Sequence, residues 1–126
     1  MFEKTDLIFA YTRRQAIEDG VLVDVTDAAK EAGFSVPVAL TCAAWAEYVT
    51  VPDGVSGQDE KGRLWDVLSM LRFHIGLWGA DVSEVRFSLY VLNRAGDEPE
   101  LGELKAVCGP DDDGMPCVTI MLTHED

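Results

Sequence analysis

One stretch, Gly57–Gly79, constrains the fold of this chain more than any other. Its apolar residues recur at intervals of four and three positions, which is the period of an α-helix with one buried face: Leu64, Leu68, Leu71, Ile75 and Trp78. Trp65, Val67 and Met70 widen this stripe. We therefore predict a long central helix that carries the core, is buried on more than one side, and ends at Gly79.

Shorter helices are predicted before this segment, at Arg13–Asp19, Asp27–Ala32 and Ala39–Val49. Thr12 is suited to cap the first, with Gln15 completing a capping box, and Thr26 is suited to cap the second. Val21–Val25 is rich in β-branched residues and is predicted to be extended. The apolar run Leu7–Ala10 is expected to form an edge strand or an arm on the core.

The last third of the chain changes to strand periodicity. Apolar and other residues alternate through Val85–Leu92, Leu101–Cys108 and Cys117–Thr123, with turns predicted at Asn93–Asp97 and Gly109–Gly114. This pattern predicts a three-stranded antiparallel meander, covered on one face by the helices. The fold class is therefore α+β, and 126 residues are expected to form a single domain, 1–126.

Charge excludes several functions. The chain has 23 acidic and 10 basic residues, a net charge of −13, and residues 76–126 alone carry −8. A field of this sign repels nucleic acids and anionic membranes and attracts basic protein surfaces. We expect no direct nucleic-acid binding and no membrane association, because there is also no apolar run long enough to span a bilayer. The first residues, MFEKTDLIFAYTRR, do not resemble a signal peptide.

The cysteines indicate a reducing compartment. The chain has three cysteines, Cys42, Cys108 and Cys117, and no CxxC pair. We therefore expect no zinc site of the usual kind, and we expect a cytoplasmic location. Cys108 and Cys117 are placed so that they could face each other across a hairpin. The Asp111–Gly114 run lacks the spacing of an EF-hand loop, and no metal or other cofactor is predicted.

Acidic side chains concentrate around the two predicted hairpins. In a meander these hairpins lie at opposite ends of the sheet, with one strand running between them. The residues are Asp97, Glu98, Glu100 and Glu103 at the first hairpin and Asp111, Asp112 and Asp113 at the second. A solvated acidic exterior is the simplest interpretation of this pattern, and a surface that binds a basic partner is the functional one.

No recognisable catalytic arrangement is present. Phosphate-binding glycine motifs are absent, and His74, inside the predicted central helix, is expected to be structural or solvent-facing. Tyr11, Arg13, Glu47 and His74 are residue types that a small modifying enzyme would need, but no spacing links them. We expect no enzymatic activity and keep a small modifying enzyme as a minor alternative.

Four segments resemble an uncharacterised family of short acidic proteins: YTRRQAIEDGVLVDVTDAAKEAGF, VPVALT, GRLWDVLSMLR and LKAVCGPDDDG. The family is carried on bacterial plasmids, integrative elements and phages. This resemblance implies an accessory gene of mobile DNA, a setting in which small acidic proteins often block host defence, including restriction and CRISPR systems. It brings no catalytic residues with it.

The resulting hypothesis is an inhibitor of a host defence complex. Its carboxylates would occupy a basic nucleic-acid channel, and an apolar anchor would add specificity. Tyr90, Leu92 and Met121, on the sheet face away from the helices, are the predicted anchors. The alternative is a regulatory or structural binding subunit, including a homodimer formed through the open face of the sheet.

Overall fold

The computed structural model describes residues 12–78, 83–92 and 98–125. The helices among them are α1 (Arg13–Glu18), α2 (Thr26–Glu31), α3 (Cys42–Ala44), which continues into a π-helical turn (Trp45–Val49), and α4 (Glu60–Trp78). The strands are β1 (Leu22–Asp24), β2 (Val38–Thr41), β3 (Glu84–Val91), β4 (Glu100–Pro110) and β5 (Pro116–Leu122). The α+β class is confirmed, and the predicted features at Leu7–Ala10 and Asn93–Asp97 lie outside the described residues.

The sheet is larger than predicted. Its five strands follow the order β1-β2-β5-β4-β3, so β3, β4 and β5 do form an antiparallel meander, but only as part of a mixed sheet. β2 pairs parallel to β5, with Val38 opposite Val118 and Leu40 opposite Ile120. β1 then pairs antiparallel to β2 at one edge, and β3 forms the other edge.

The prediction that a helix begins at Ala39 and runs to Val49 is wrong over its first three residues. Val38–Thr41 is strand β2, and Val38, Ala39 and Leu40 are fully buried between two neighbouring strands. The helix begins only at Cys42, where the Thr41 hydroxyl accepts a hydrogen bond from the Ala44 N–H at 3.1 Å. Strand pairing with distant residues therefore overrides the local helical pattern.

The two N-terminal caps differ in outcome. Thr12 caps α1 as predicted, because its hydroxyl accepts from the Gln15 N–H while the Gln15 side chain accepts from the Thr12 N–H. Thr26 is the first residue of α2 rather than its cap. Its hydroxyl instead donates to Asp24 at 2.6 Å and accepts from the Val38 N–H at 3.2 Å, which ties α2 to the β1–β2 edge of the sheet.

The core lies between α4 and one face of the sheet. Leu64, Leu68 and Leu71 of the predicted stripe are buried together with Val67, and they face the buried side chains of β3. Ile75 is partly buried against the same cluster. The helix is not buried on more than one side, since Trp65 is 46% exposed and Phe73 is 59% exposed.

The centre of the opposite face of the sheet is covered. Arg13 of α1 reaches across β5 on this face, donating to the Thr119 hydroxyl at 2.6 Å and to the Val118 carbonyl at 2.9 Å. Lys105 and Met121, which face the same way, are also buried. The centre of this second face is therefore not available for the predicted homodimer contact.

Candidate protein-binding site

A groove runs along the edge of the sheet between strand β3 and helix α4. It encloses about 530 Å³ and is lined by Trp65, Met70 and His74 from the helix and by Tyr90 and Leu101 from the strands. A second hollow of about 610 Å³ adjoins it near the start of α4 and shares Trp65 and Tyr90 with it. We call the two together the β3 groove.

The first turn of helix α4 is capped by Asp59. The Asp59 carboxylate accepts a hydrogen bond from the Gly62 N–H at 2.7 Å, which satisfies a free donor at the start of the helix. From there Trp65 and Met70 lie on the flank of α4 that borders the groove, whereas Leu64, one position earlier, turns into the core. The wall of the groove is thus a direct consequence of helical periodicity.

A buried arginine joins three segments beneath the groove. Arg63, 6% exposed, donates to the Tyr48 carbonyl, the Gln58 side-chain oxygen and the Leu92 carbonyl at 3.0, 3.1 and 3.0 Å. Burial lowers the pKa of its guanidinium, and the nearby Asp66 carboxylate opposes that effect. Because Arg63 fits the spacing of a charged position in an amphipathic helix, sequence reasoning gave no sign of this role.

Tyr48 supports the floor of the groove. Its ring lies against Gly102 of β4, where a side chain would collide with the Tyr48 hydroxyl and ring. Burial raises the pKa of the Tyr48 phenol, and the neighbouring Glu47 carboxylate raises it further. The glycine therefore permits a close approach that fixes the π-helical turn against the sheet.

The predicted apolar anchors have different positions. Tyr90 is 71% exposed and borders the β3 groove, as expected, and Leu92 is half-buried at its end. Met121 is only 6% exposed, so it is not an anchor. Leu101, directly opposite Tyr90 in register and 61% exposed, was not among the predicted anchors.

The first acidic group lies beside this pair. Glu103, two residues beyond Leu101 on β4 and on the same face, forms an exposed ion pair with Arg86 at 3.5 Å. An exposed pair of this kind contributes little stability, so Glu103 can pair with another cation in place of Arg86. Glu98 and Glu100 are exposed just before Leu101 in the chain, and Glu100 projects to the opposite face of the sheet. Asp97 lies outside the described residues.

The second acidic group has local structural roles. The Asp111 carboxylate accepts from the Asp113 and Met115 N–H groups, both at 2.9 Å, and closes its own turn. The Asp112 carboxylate accepts from the Arg13 and Arg14 N–H groups at 2.8 and 3.0 Å. These two backbone hydrogen bonds lower the pKa of Asp112.

The two acidic groups do not form one surface. They lie at opposite ends of β4, a strand of 11 residues that spans roughly 35 Å at about 3.3 Å per residue. Only the group at Glu98–Glu103 lies beside exposed apolar side chains of the groove, at Tyr90 and Leu101. Asp113 is exposed at the other end, away from the groove.

The residues considered for an enzyme are not brought together. His74 donates from Nδ1 to the Met70 carbonyl at 2.9 Å and packs on Phe73 and Phe87, whereas Arg13 lies across the sheet against β5. Glu47 is exposed on the π-helical turn, and Tyr11 lies outside the described residues. Within the described residues, no group of three or more His, Cys, Asp or Glu side chains is placed to hold a metal ion.

The cysteine pair across the second hairpin is also excluded. In the register of β4 and β5, Cys108 lies opposite Val118 and Cys117 lies opposite Gly109. Because neighbouring strand positions alternate between faces, the two thiols project to opposite sides of the sheet. Burial raises the pKa of both thiols, and all three cysteines are free.

The described residues define a small α+β domain with strand β3 at one edge of the sheet, exposed apolar side chains near that edge, and a carboxylate beside them. The chain belongs to a family of unknown function, DUF6573, whose model matches residues 1–126. No curated protein and no solved structure matches it. Across the described parts of the chain, no helix is long and apolar enough to cross a membrane.

Proposed function

We propose that this protein binds a basic surface of a partner protein through the β3 groove. The observation that carries the proposal is the side-by-side exposure of Tyr90 and Leu101, at 71% and 61%, with Glu103 on the same face of the sheet. Glu98 and Glu100 are exposed just before Leu101 in the chain and add to the negative charge of this end of the sheet. Tyrosine is among the residues enriched at binding hot spots, and a polar rim commonly surrounds the apolar centre of an interface.

The charge of the chain supports a basic partner. A net charge of −13 accelerates encounter with a positive surface, and the carboxylates next to the anchors set the orientation of docking. Charge alone would bind any cationic surface, so the apolar pair supplies the selectivity. The particular partner that we propose is a nucleic-acid-binding host defence complex of the CRISPR or restriction type, with the protein acting as its inhibitor in the cytoplasm.

This choice of partner rests on the family resemblance to accessory proteins of mobile DNA. A defence nuclease exposes a basic channel, and an acidic protein that covers the channel mouth excludes the nucleic acid. Because the Asp111 carboxylate is tied into its own turn and the Asp112 carboxylate to the start of α1, the expected mode is occlusion by the groove end of the sheet, with limited imitation of a phosphate row.

The test is competition for DNA. Purified protein is titrated into a defence nuclease bound to labelled DNA, at several salt concentrations, and the released DNA is measured. We expect displacement that weakens as salt rises. Absence of displacement, together with no protection of phage or plasmid in a host with active restriction or CRISPR defence, would refute the proposal.

Matched variants locate the surface. Leu101→Ala removes an anchor, and Met115→Ala removes an apolar side chain of the same 61% exposure at the far end of β4. We expect Leu101→Ala to weaken displacement by roughly 10- to 30-fold, the usual cost of a hot-spot residue, and Met115→Ala to leave it unchanged. Equal effects of the two variants would place the contact elsewhere.

A further inference from the structure

The orientation of the backbone in β3 can be read from one hydrogen bond. The Cys108 N–H donates to the Ser83 carbonyl at 2.8 Å, one position before the β3–β4 ladder, in which Glu84 lies opposite Val107. In an antiparallel pair, residues that exchange hydrogen bonds alternate with residues that do not. The odd-numbered residues of β3 therefore bond to β4, and the N–H and C=O groups of the even-numbered residues point away from the sheet.

The next position beyond the strand agrees with this assignment. Leu92 is even-numbered, and its carbonyl accepts from Arg63, which lies on the outer side of β3 beneath the groove. Arg63 thus ends the free edge by satisfying its last carbonyl. The outward groups that precede it belong to Arg86, Ser88 and Tyr90.

These outward groups have no partner within the described residues. β3 pairs only with β4 there, and none of the hydrogen bonds outside helices and strands involves the backbone of Arg86, Ser88 or Tyr90. Natural sheets usually protect such an edge with charged side chains, proline or a bulge. Glu84 and Arg86 protect the first half in this way, whereas Ser88–Val91 carries no charge.

The unprotected half of the edge is the part that borders the groove. Ser88 and Tyr90 lie on one side, and Trp65 and Met70 of α4 lie on the other, leaving a channel of about 530 Å³ beside the free backbone groups. A channel between a sheet edge and a helix is the geometry in which extended peptides add as a further strand.

We infer that the β3 groove binds an extended, basic segment of the partner protein as a sixth strand of the sheet. The inference rests on the proposed function and names the form in which the basic partner is recognised. Backbone hydrogen bonds to Ser88 and Tyr90 would hold the segment. Its alternate side chains would be apolar toward Trp65 and Met70, and basic toward Glu103.

Charge selects this occupant over a second copy of the chain. Asp59 and Asp66 line the groove, and Glu103 lies opposite Ser88 in register. Glu98 and Glu100 are exposed on either side of Pro99, which also lines the groove. Pairing two β3 edges would bring these carboxylates toward those of an identical chain that also carries −13. A lysine- or arginine-rich strand meets the same carboxylates with opposite charge.

The decisive variant is Ser88→Pro. Proline removes the outward N–H and is tolerated on an edge strand when that N–H does not serve the ladder. Pairing of β3 with β4 is therefore retained, as circular dichroism and thermal melting would verify, while an added strand loses a donor and meets the proline ring. Ser88→Thr keeps the N–H and is the matched control.

The probe is a fluorescein-labelled peptide of alternating lysine and valine, measured by fluorescence anisotropy. We expect saturable binding to the wild-type protein and to Ser88→Thr, and at least about tenfold weaker binding to Ser88→Pro. A fully N-methylated peptide with the same side chains keeps the charge but cannot donate to an edge, and is expected to bind at least about tenfold more weakly to the wild-type protein. This second probe keeps the test valid if Ser88→Pro does not fold.

Amide hydrogen exchange distinguishes strand addition from charge attraction, because attraction alone would not protect the backbone amides of β3. The Ser88 and Tyr90 amides are expected to exchange rapidly in the free protein and to gain protection with the peptide, whereas those of Phe87 and Leu89 are protected throughout. Protection of Ser88 that rises with protein concentration in the absence of peptide would show that a second copy occupies the edge, and would overturn the inference.

Failure of the inference can be told apart from failure of the proposed function. Strand addition is refuted if Ser88→Pro binds the peptide as well as Ser88→Thr does, and the wild-type protein binds the N-methylated peptide as well as the unmodified one. Salt-sensitive displacement of DNA by the protein would still stand in that case. If no defence nuclease is displaced but the peptide binds with the expected backbone dependence, the inhibitor proposal fails and the peptide-binding edge stands.

Discussion

Substituting Gly102 by alanine tests the close contact beneath the groove. An ideal Cβ at this position would lie 2.6 Å from Cε1 and 2.8 Å from Cζ of Tyr48, and it would also overlap the phenol oxygen. Tyr48 is 6% exposed, so its ring has little room to move. Overpacking of this kind costs about 1–3 kcal/mol.

This range converts into a measurable change in melting temperature. With an unfolding entropy of about 2.1 cal/mol/K per residue, a chain of 126 residues loses roughly 4 °C per kcal/mol. We therefore expect Gly102→Ala to lower Tm by about 4–11 °C in differential scanning calorimetry, and to lower the urea midpoint in proportion.

Gly109→Ala is the matched control, because it lies on the same strand and nothing is within 4 Å of its added Cβ. Its stability is expected to stay within about 0.5 kcal/mol of the parent. In a Tyr48→Phe background the cost of Gly102→Ala should fall by at least about 0.5 kcal/mol, since part of the collision is gone. Equal stability of Gly102→Ala and Gly109→Ala would refute the packing argument.

Three further predictions follow from single side chains. Arg63→Met leaves buried carbonyl groups without their donor and should lower the free energy of unfolding in urea by about 2–4 kcal/mol. A loss of about 1 kcal/mol or less would contradict the structural role of Arg63. Asp112→Ala should destabilise the protein at neutral pH relative to Asp113→Ala. Because the pKa of Asp112 is lowered in the fold, its contribution is present above the carboxyl pKa of the unfolded chain, about 3.9, and is lost as pH falls through the lower folded value, so melting curves of the two variants should converge in acid. Iodoacetamide should modify exposed Cys42 before Cys117, whose thiol is buried and has a raised pKa, and mass spectrometry of the native protein would show the opposite order if that burial were wrong.

Local periodicity was enough to predict the elements whose pattern is self-contained. The Leu64–Leu71 stripe predicted helix α4, and the alternation through Val85–Val91 predicted strand β3. The Thr12 capping box predicted the start of α1. Each of these signals lies within a few turns or residues of the chain. Their boundaries agreed with the structure to within a few residues.

Elements that depend on distant partners were not predictable in this way. Val38–Thr41 precedes an alanine-rich helix and continues its apolar pattern, and it becomes a strand only because β1 and β5 pair with it from either side. Likewise, alternation placed Met121 on the correct face of β5, but whether that face is covered depends on the rest of the fold.

The candidate site was half predictable for the same reason. The alternating pattern of β3 predicted that Tyr90 is exposed, and the distribution of charge predicted the acidic group that follows it in the sequence. That β3 is an edge strand depends on the order of five strands, and that Trp65 and Leu101 lie beside Tyr90 depends on how α4 and β4 pack. No local pattern contains that information.

The place of β5 in the sheet has a consequence for synthesis on the ribosome. β5 is the last of the five strands along the chain, yet it lies between β2 and β4 at the centre. Translation at about 5–20 residues per second therefore leaves the β1–β2 and β3–β4 pairs separate from each other until Pro116–Leu122 emerges. Such pairs expose unpaired edges, so chaperone capture of nascent chains should be greatest before β5 leaves the exit tunnel.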